Sequence, residues 1–340
     1  MEIMAMQRKA RRRLAALAAL LAAAFFASFC FGRYGVPPLQ VARLLASVIF
    51  PVEADWTPQM RSAVLDIRLP RILLACLVGC SLATAGASYQ GVFRNPMAAP
   101  DILGASSGAA FGAALAILLG FGSRGIMLLA FVSGLATVLL AYLVGSRAPG
   151  RRAVGLILAG IMLGSLMSAG TSFVKLVADP SNELPAITYW LMGTLSGTTM
   201  RDVRFAALPM ALGLLPLFLL RWRVNLLTLG DDEARSLGVD ARLLRLAVVV
   251  CSTLITAASV AVSGMIGWVG LVIPHLCRML VGSDYRRLMP ASMLMGASFL
   301  LLVDDVARNL LSTEIPIGIL TAFLGAPVFL YFILRGENTP

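Results

Sequence analysis

The side chains that could do chemistry are few and widely separated along this 340-residue chain. Its single histidine is His275, and its two lysines, Lys9 and Lys175, follow Arg8 and Val174. A phosphate-cradling P-loop needs Gly-Lys followed by Ser or Thr, so the chain does not itself carry a P-loop ATPase site. No residue set has the spacing of a hydrolase active site, and we predict no catalytic residue.

The thiols and the lone histidine also fail to form a metal site in the sequence. Cys76 and Cys80 share one helix face at i and i+4, but no histidine or carboxylate accompanies them. The cysteines lie in or beside apolar runs, as small buried thiols do. His275 follows Pro274 at the end of an apolar run, which favours a structural role over iron ligation. We therefore predict no metal and no cofactor bound by this chain.

Composition indicates the elements that must position the remaining polar residues. The chain is 59% hydrophobic and 13% charged, whereas soluble domains are about 25% charged. Long continuous apolar runs predict an all-α, polytopic membrane protein, because the strands of a membrane barrel alternate apolar and polar residues. The net charge of +11 is dispersed among loops, which indicates cytoplasmic loops of a membrane protein and no nucleic-acid partner.

The apolar runs predict about ten transmembrane helices in a single domain over residues 1–340. A basic tail, residues 1–13, precedes the first run, and most Lys and Arg residues then fall on the side of that tail. By the positive-inside rule both termini are cytoplasmic. The predicted spans are 14–32, 70–93, 101–121, 125–145, 154–178, 205–221, 244–264, 266–281, 289–311 and 316–334.

Two short polar segments interrupt the spans in an informative way. Residues 94–100 read RNPMAAP, and Pro96 and Pro100 cannot sit inside a helix without losing a hydrogen bond. This segment, called the hinge below, therefore predicts a stiff turn between two spans. Residues 227–240 read LTLGDDEARSLGVD, which predicts a short helix bounded by two glycines, with carboxylates in its first turn.

Proton-coupled carriers usually keep carboxylates near the bilayer midplane. The predicted spans are nearly free of them, except for Asp304 and Asp305 beside Arg308 toward one end of the ninth span. Asp305 and Arg308 stand at i and i+3, so mutual neutralisation is the simpler interpretation. An ion- or proton-coupled secondary transporter stays open as the alternative of another class.

Five segments together resemble the motifs of FecCD-type permeases, the membrane subunits of type II ATP-binding-cassette importers for ferric siderophores, haem and cobalamin. They run in the family's order from Arg68 to Leu330: RLPR, RNPMAAPDILGASSGA, LTLGDDEARSLGVD, GMIGWVGLVIPHLCRMLVGSD and EIPIGILTAFLGAPVFL. The resemblance implies a type II importer permease fold, a homodimer, two cytoplasmic ATPase subunits that bind ATP-Mg, and a periplasmic binding protein. It also implies a location in the bacterial inner membrane.

The resemblance also assigns roles to individual residues. Asn95 and Met97 match the cytoplasmic gate, and a second gate segment falls near Ala153 and Val154, where some members carry small hydroxyl residues. Segment 227–240 matches the coupling helix that docks on the ATPase, with Leu229, Gly230, Asp231, Asp232, Glu233, Ala234, Arg235, Leu237 and Gly238. The outward arginines that receive acidic residues of the binding protein match Arg68, Arg71 and Arg308.

The substrate that the resemblance implies is an iron chelate, either a siderophore complex or haem, with cobalamin as the alternative within the family. The binding protein supplies the affinity in such importers. We therefore expect an apolar, weakly binding pathway through this chain rather than a tight site.

Overall fold

The structure, a computed structural model, describes residues 2–47, 50, 55–147 and 152–335. Within those ranges all regular secondary structure is helical, which confirms the all-α prediction. The main helices are α1 (Glu2–Ser28), α2 (Pro38–Ser47), α3 (Pro58–Phe93), α4 (Ala105–Leu118), α5 (Ser123–Arg147), α6 (Arg152–Val177), α7 (Glu183–Leu191), α8 (Met200–Leu229), α9 (Asp231–Ser236), α10 (Ala241–Ser263), α11 (Val269–Val281), α12 (Tyr285–Asn309) and α13 (Ile317–Arg335).

Six of these helices are long and apolar enough to cross a bilayer, namely α3, α5, α6, α8, α10 and α12. The shorter helices α4, α11 and α13 are apolar as well, and α1 carries an apolar run after its basic residues. Together these helices follow the order of the predicted spans. The multi-pass membrane architecture is confirmed, and the count of ten spans stays a prediction.

Helix α3 is the centre of the bundle and packs against α8, α10, α11 and α12. Its most apolar window is 78% buried, compared with 22% for α6. Gly79 of α3 lies on Gly296 of α12, and Gly86 lies on Gly270 of α11, with no room for a Cβ atom at either crossing. Small residues at helix crossings let backbones approach closely, so glycine fixes α3 against its neighbours.

The start of α3 differs from the predicted span, which begins at Pro70. The helix begins at Pro58, where the Thr57 side chain caps it, and residues Ser62–Arg68 form wide π-helical turns. The Leu69 amide donates to the Val64 carbonyl, five residues back. A proline ring clashes with the carbonyl four residues before it in an α-helix. The wider turn ahead of Pro70 relieves that clash, so the helix continues through it.

The helix in the place of the third predicted span, 101–121, is shorter than that span. After the hinge, residues Pro100–Leu103 form one 3-10 turn, and Gly104 then adopts φ +79° before α4 begins. This left-handed conformation suits glycine and breaks the helix that the apolar pattern alone predicts. The hinge and the 3-10 turn therefore form one continuous non-α connection between α3 and α4.

Candidate transport and docking sites

The hinge is a tight turn at the end of α3. Arg94 ends the helix in the left-handed region at φ +50°. The Asn95 side chain accepts a hydrogen bond of 2.9 Å from the Met97 amide, and the Asn95 carbonyl accepts one of 3.0 Å from the Ala98 amide. This geometry buries Ala98 and leaves the Met97 side chain 51% exposed. Asn95 therefore fixes a turn that presents an apolar methionine at the surface.

The connection after the hinge rests on α11 and α6. Pro100 lies on Gly270 of α11, and the Ile102 carbonyl lies on Gly160 of α6, with no space for a Cβ atom on either glycine. Gly104 is also close to α6: a Cβ built on it would lie 3.2 Å from the carbonyl oxygen of Gly160. Such backbone contacts have no flexible side chain to absorb a shift. A displacement of the hinge therefore reaches α6.

The second predicted gate segment falls at the start of α6. Val154 is helical and half exposed, in keeping with a residue that faces a pathway or a second subunit. Ala153 also lies in α6, but its side chain lies outside the described residues. The gate roles of both residues stay predictions.

Helix α9 is the short helix predicted within residues 227–240. Gly230, at φ +141°, separates it from α8, and Gly238, at φ +78°, follows its last turn. Ala234 is fully buried, and its carbonyl accepts a hydrogen bond of 2.9 Å from the Val239 amide, which closes the end of the helix. The two glycines therefore give the helix the bounds that the sequence predicts.

The other side of α9 is exposed, and exposed leucines flank the helix at both ends. Leu229 and Leu237 are both more than half exposed, and Glu233 and Arg235 are exposed between them. The side chains of Asp231 and Asp232 lie outside the described residues, although their backbone belongs to α9. Exposed leucines on either side of a short helix form a compact surface that a soluble partner could cover.

Arg94 connects the hinge with α9. Its Nη1 atom lies 3.7 Å from the place that a Cβ atom on Gly230 would occupy, and the Glu233 carboxylate folds over the same place. A cation of the hinge and a carboxylate of α9 thus share one small space, where opposite charges attract. The predicted gate and the predicted coupling helix are neighbours in the structure.

At the far end of α3 the structure gathers six charged side chains that we call the ion cluster. Its members come from α3, α12 and the loop before α13, namely Arg68, Arg71, Asp304, Asp305, Arg308 and Glu314. The Arg71 guanidinium contacts both Asp304 oxygens at 2.9–3.0 Å and both Glu314 oxygens at 2.9–3.0 Å. Such bidentate pairing fixes orientation as well as adding energy.

The rest of the ion cluster joins α1 to α12 and α3. Arg308 pairs with Asp305, three residues before it, and its Nε atom lies 3.6 Å from Asp304. The Ser28 hydroxyl at the end of α1 donates to Asp305. Arg68 donates to the carbonyls of Phe29 and Tyr34 in the segment after α1. The expected neutralisation of Asp305 by Arg308 is thus present.

The prediction that Arg68, Arg71 and Arg308 face outward needs a correction. All three side chains are buried and bonded within this chain, with residue exposures of 4%, 6% and 7%. The physical reason is that a buried guanidinium is costly unless carboxylates and carbonyls satisfy it. Glu314, whose side chain is 28% exposed, is the part of the cluster nearest to solvent. Docking of a binding protein at this end stays a prediction.

The sequence did not indicate Ser28, Glu314 and the carbonyls of Phe29 and Tyr34 as members of this network. Glu314 lies 243 residues after Arg71 in a short loop without regular structure, and no local pattern connects the two. Among the described residues no group of three or more His, Cys, Asp or Glu could hold a metal ion. The ring of His275 packs on Phe332, with centroids 4.5 Å apart.

The arrangement of bundle, hinge and short helix agrees with what a comparison of the whole chain finds. The model of the FecCD transport family matches residues 20–335. The chain belongs to the FecCD transport family. It is therefore an ATP-binding-cassette importer permease, a multi-pass membrane protein that serves as the transport subunit, and the secondary-transporter alternative is set aside.

The relatives agree over most of their length. The molybdate import system permease protein MolB of Haemophilus influenzae is 42% identical over 312 residues, which cover 91% of this chain and 92% of MolB. The hemin transport system permease protein HmuU of Yersinia pestis is 42% identical over 279 residues, 80% of this chain and 83% of HmuU. The FecCD permeases matched here thus bear names for more than one class of substrate.

The fold of the chain is likewise that of a solved transporter. A structure described as an inward-facing conformation of a metal-chelate type ABC transporter matches with a TM-score of 0.85 and 39% identity. The match covers 96% of this chain and 99% of that one. The importer permease fold predicted from the sequence is confirmed.

Proposed function

We propose that this FecCD permease moves an iron chelate, a siderophore complex or haem, across the bacterial inner membrane. The observation that carries the proposal is the family match over residues 20–335, together with relatives named for iron chelatin and hemin. In this proposal two ATPase subunits bind ATP-Mg on the cytoplasmic side, and a periplasmic protein delivers the substrate. Both termini are cytoplasmic, in line with the basic residues near the hinge end.

The exposed face of α6 supports assembly as a homodimer around a pathway. Only 22% of its most apolar window is buried, and large apolar side chains such as Leu166 and Phe173 are exposed. Ser165 and Ser172 share that helix, and their hydroxyls donate to its own carbonyls. Such a face offers a bulky solute apolar contact and few free donors. A second copy across a two-fold axis would complete the pathway.

Met97 suits the gate of this pathway. It is exposed at the tip of a turn that Asn95 and the two hinge prolines hold. Methionine is flexible and apolar, so a pair of Met97 side chains at the two-fold axis would close a pore against water and yield to a large solute. The contact of Ile102 and Gly104, just after the hinge, with α6 would carry the same movement to Val154.

Coupling to the ATPase would run through α9. Its buried Ala234 anchors it to the bundle, while Leu229 and Leu237 face outward for a partner. When the ATPase subunits close, the rigid short helix would shift with them, and the proximity of Glu233 to Arg94 would transmit the shift to the hinge. Coupling in this form needs no rearrangement inside α9.

Substrate uptake into proteoliposomes tests this function. The permease, its ATPase and its binding protein should take up a ferric siderophore or haem only when ATP-Mg is supplied to the ATPase side. A proton gradient without ATP should give no uptake. As a control, matched vesicles supplied with a non-hydrolysable ATP analogue should also take up no substrate. ATP-driven uptake of molybdate with none of iron chelates would overturn the substrate class and favour the function for which MolB is named.

A further inference from the structure

A cavity of about 740 Å³ opens at the hinge end of the bundle, away from the exposed face of α6. It lies between the basic start of α1, the last turn of α11 and the turn that leads into α12, with Pro96 of the hinge on its wall. Neither Met97 nor a described residue of α6 is among the residues that line it. We call it the basic cavity.

The charge in the basic cavity is strongly unbalanced. Lys9, Arg13, Arg278 and Arg287 line it, and among the described residues Asp284 is the only carboxylate in its lining. One oxygen of that carboxylate is engaged in local structure, because Asp284 caps α12 and its Oδ1 accepts hydrogen bonds of 2.9 Å from the Arg286 amide and 2.7 Å from the Asn225 side chain. Within the described residues no ion pair joins any of the four cations to a carboxylate.

Arg278 is only partly satisfied by hydrogen bonds within the chain. Its Nη2 atom is 3.4 Å from the Tyr285 hydroxyl, but its Nη1 atom is buried without a hydrogen-bond partner. A buried donor without an acceptor is costly, and a guanidinium is most readily satisfied by a phosphate or carboxylate. The cavity therefore presents excess positive charge, and a buried guanidinium donor without a partner lies at its wall.

The apolar part of the cavity distinguishes a lipid from a free anion. Ala10, Met279, Leu280 and Val281 also line it, and Met279 is more than half exposed beside the cations. Apolar side chains make no favourable contact with a free phosphate, whereas they can pack against the acyl chains of a phospholipid. Basic pockets between membrane helices on the cytoplasmic side bind anionic headgroups, and the cavity lies at the end of the bundle where the basic residues concentrate.

We propose that the basic cavity binds the phosphate headgroup of an anionic phospholipid, with Arg278 and Arg287 as its principal ligands and Lys9 and Arg13 closing over it from α1. The bound lipid would tie α1 to α11 and α12 beside the hinge. The proposal concerns a lipid site, so it stands or falls independently of the transported substrate.

Native mass spectrometry of the purified full-length permease in detergent tests the proposal. The wild type should retain phosphatidylglycerol in preference to phosphatidylcholine. Arg278→Gln with Arg287→Gln should weaken that binding by about tenfold or more, given a contribution of roughly 1 kcal/mol for each cation near an anionic lipid. Inorganic phosphate at millimolar concentration should not displace the lipid.

A single-residue comparison guards against misfolding of the double variant. Arg287 lines the cavity, whereas its neighbour Arg286 lies outside it with its guanidinium 5.6 Å from the Trp222 ring. Arg287→Gln should weaken phosphatidylglycerol binding several-fold, and Arg286→Gln, with the same loss of charge, should not. Equal binding by both variants and the wild type would overturn the proposal. Displacement by inorganic phosphate alone, or by an acidic segment of the ATPase partner, would assign the cavity to that ligand instead.

Discussion

The ion cluster and the basic cavity lie at opposite ends of the same bundle, and each contains three arginines. In the ion cluster those arginines are buried, and Asp304, Asp305 and Glu314 balance their charge. In the basic cavity three arginines and a lysine lie beside one carboxylate among the described residues. Balanced charge inside the chain fixes helices to each other, whereas unbalanced charge at a surface needs a partner from outside. Substitutions at the two ends should therefore fail in different ways.

The largest effect should come from Asp304→Asn in the ion cluster. Asp304 is fully buried and contacts both Arg71 and Arg308, so the amide would leave two buried cations short of one anion. Removing one partner of a buried pair costs about 3–5 kcal/mol. Thermal unfolding in detergent, followed by size-exclusion chromatography, should show a lower melting temperature than the wild type.

The matched control is Asp66→Asn, which removes a carboxylate at the same end of α3 from an exposed position. Its melting temperature should stay close to that of the wild type. Equal stability of both variants would mean that the ion cluster does not hold α3 to α12.

The next effect should come from Met97→Cys in a background without the five native cysteines. A disulfide needs Cα atoms within about 7 Å of each other, so a cross-link between two copies would put the hinge at a two-fold axis. We expect a cross-link whose yield changes with nucleotide, and uptake that stops on oxidation and returns on reduction. Leu139→Cys, exposed on α5, is the control and should not cross-link.

Two outcomes would change the assignment of Met97. An efficient cross-link with normal uptake would make Met97 a dimer contact outside the pathway. The absence of any cross-link in every nucleotide state would remove the hinge from the axis.

A charge reversal on α9 should have an intermediate effect on transport and little on folding. Arg235→Glu places a carboxylate on the exposed face of the short helix, and both ATP-driven uptake and stimulation of the ATPase should fall severalfold. Arg223→Glu, the same change at an exposed position of α8, should leave both near the wild-type level. If uptake and ATPase stimulation stayed at the wild-type level in the Arg235 variant, residues 227–240 would be only a linker.

The smallest effect should come from Glu314→Gln, because Glu314 is the partly exposed partner of Arg71. The buried Arg71 keeps its contacts with Asp304 in this variant, so the melting temperature should fall less than in Asp304→Asn. The amide should, however, leave Arg71 more open to carboxylates of a binding protein, and the salt-sensitive affinity of that complex should rise. An unchanged affinity would argue against docking at Arg71.

The sequence was informative where local chemistry decides local structure. Gly230 and Gly238 predict both ends of α9, and Pro96 and Pro100 predict the hinge, since each residue type restricts its own backbone. The start of α3 could not be found in the same way. Its π-helical turns depend on how Ser62–Arg68 packs, and they let the helix pass Pro70.

Contacts between distant segments were the part that no local pattern could supply. Arg71 meets Glu314 across 243 residues, and the basic cavity brings Lys9 beside Arg278. The motif around Arg68 and Arg71 therefore singled out these arginines. It did not indicate that carboxylates of the same chain pair with Arg71. Burial is a property of the packed bundle, and only the structure reports it.

The glycine crossings of α3 have a mechanical consequence. Gly79 on Gly296 and Gly86 on Gly270 leave no side chain that could slide or compress between the helices. Helices α3, α11 and α12 should then move as one rigid body, with the hinge at the end of α3. Phe93 lies ~21 Å beyond Gly79 at 1.5 Å per residue, so a small tilt at the pivot becomes a larger sweep of Met97.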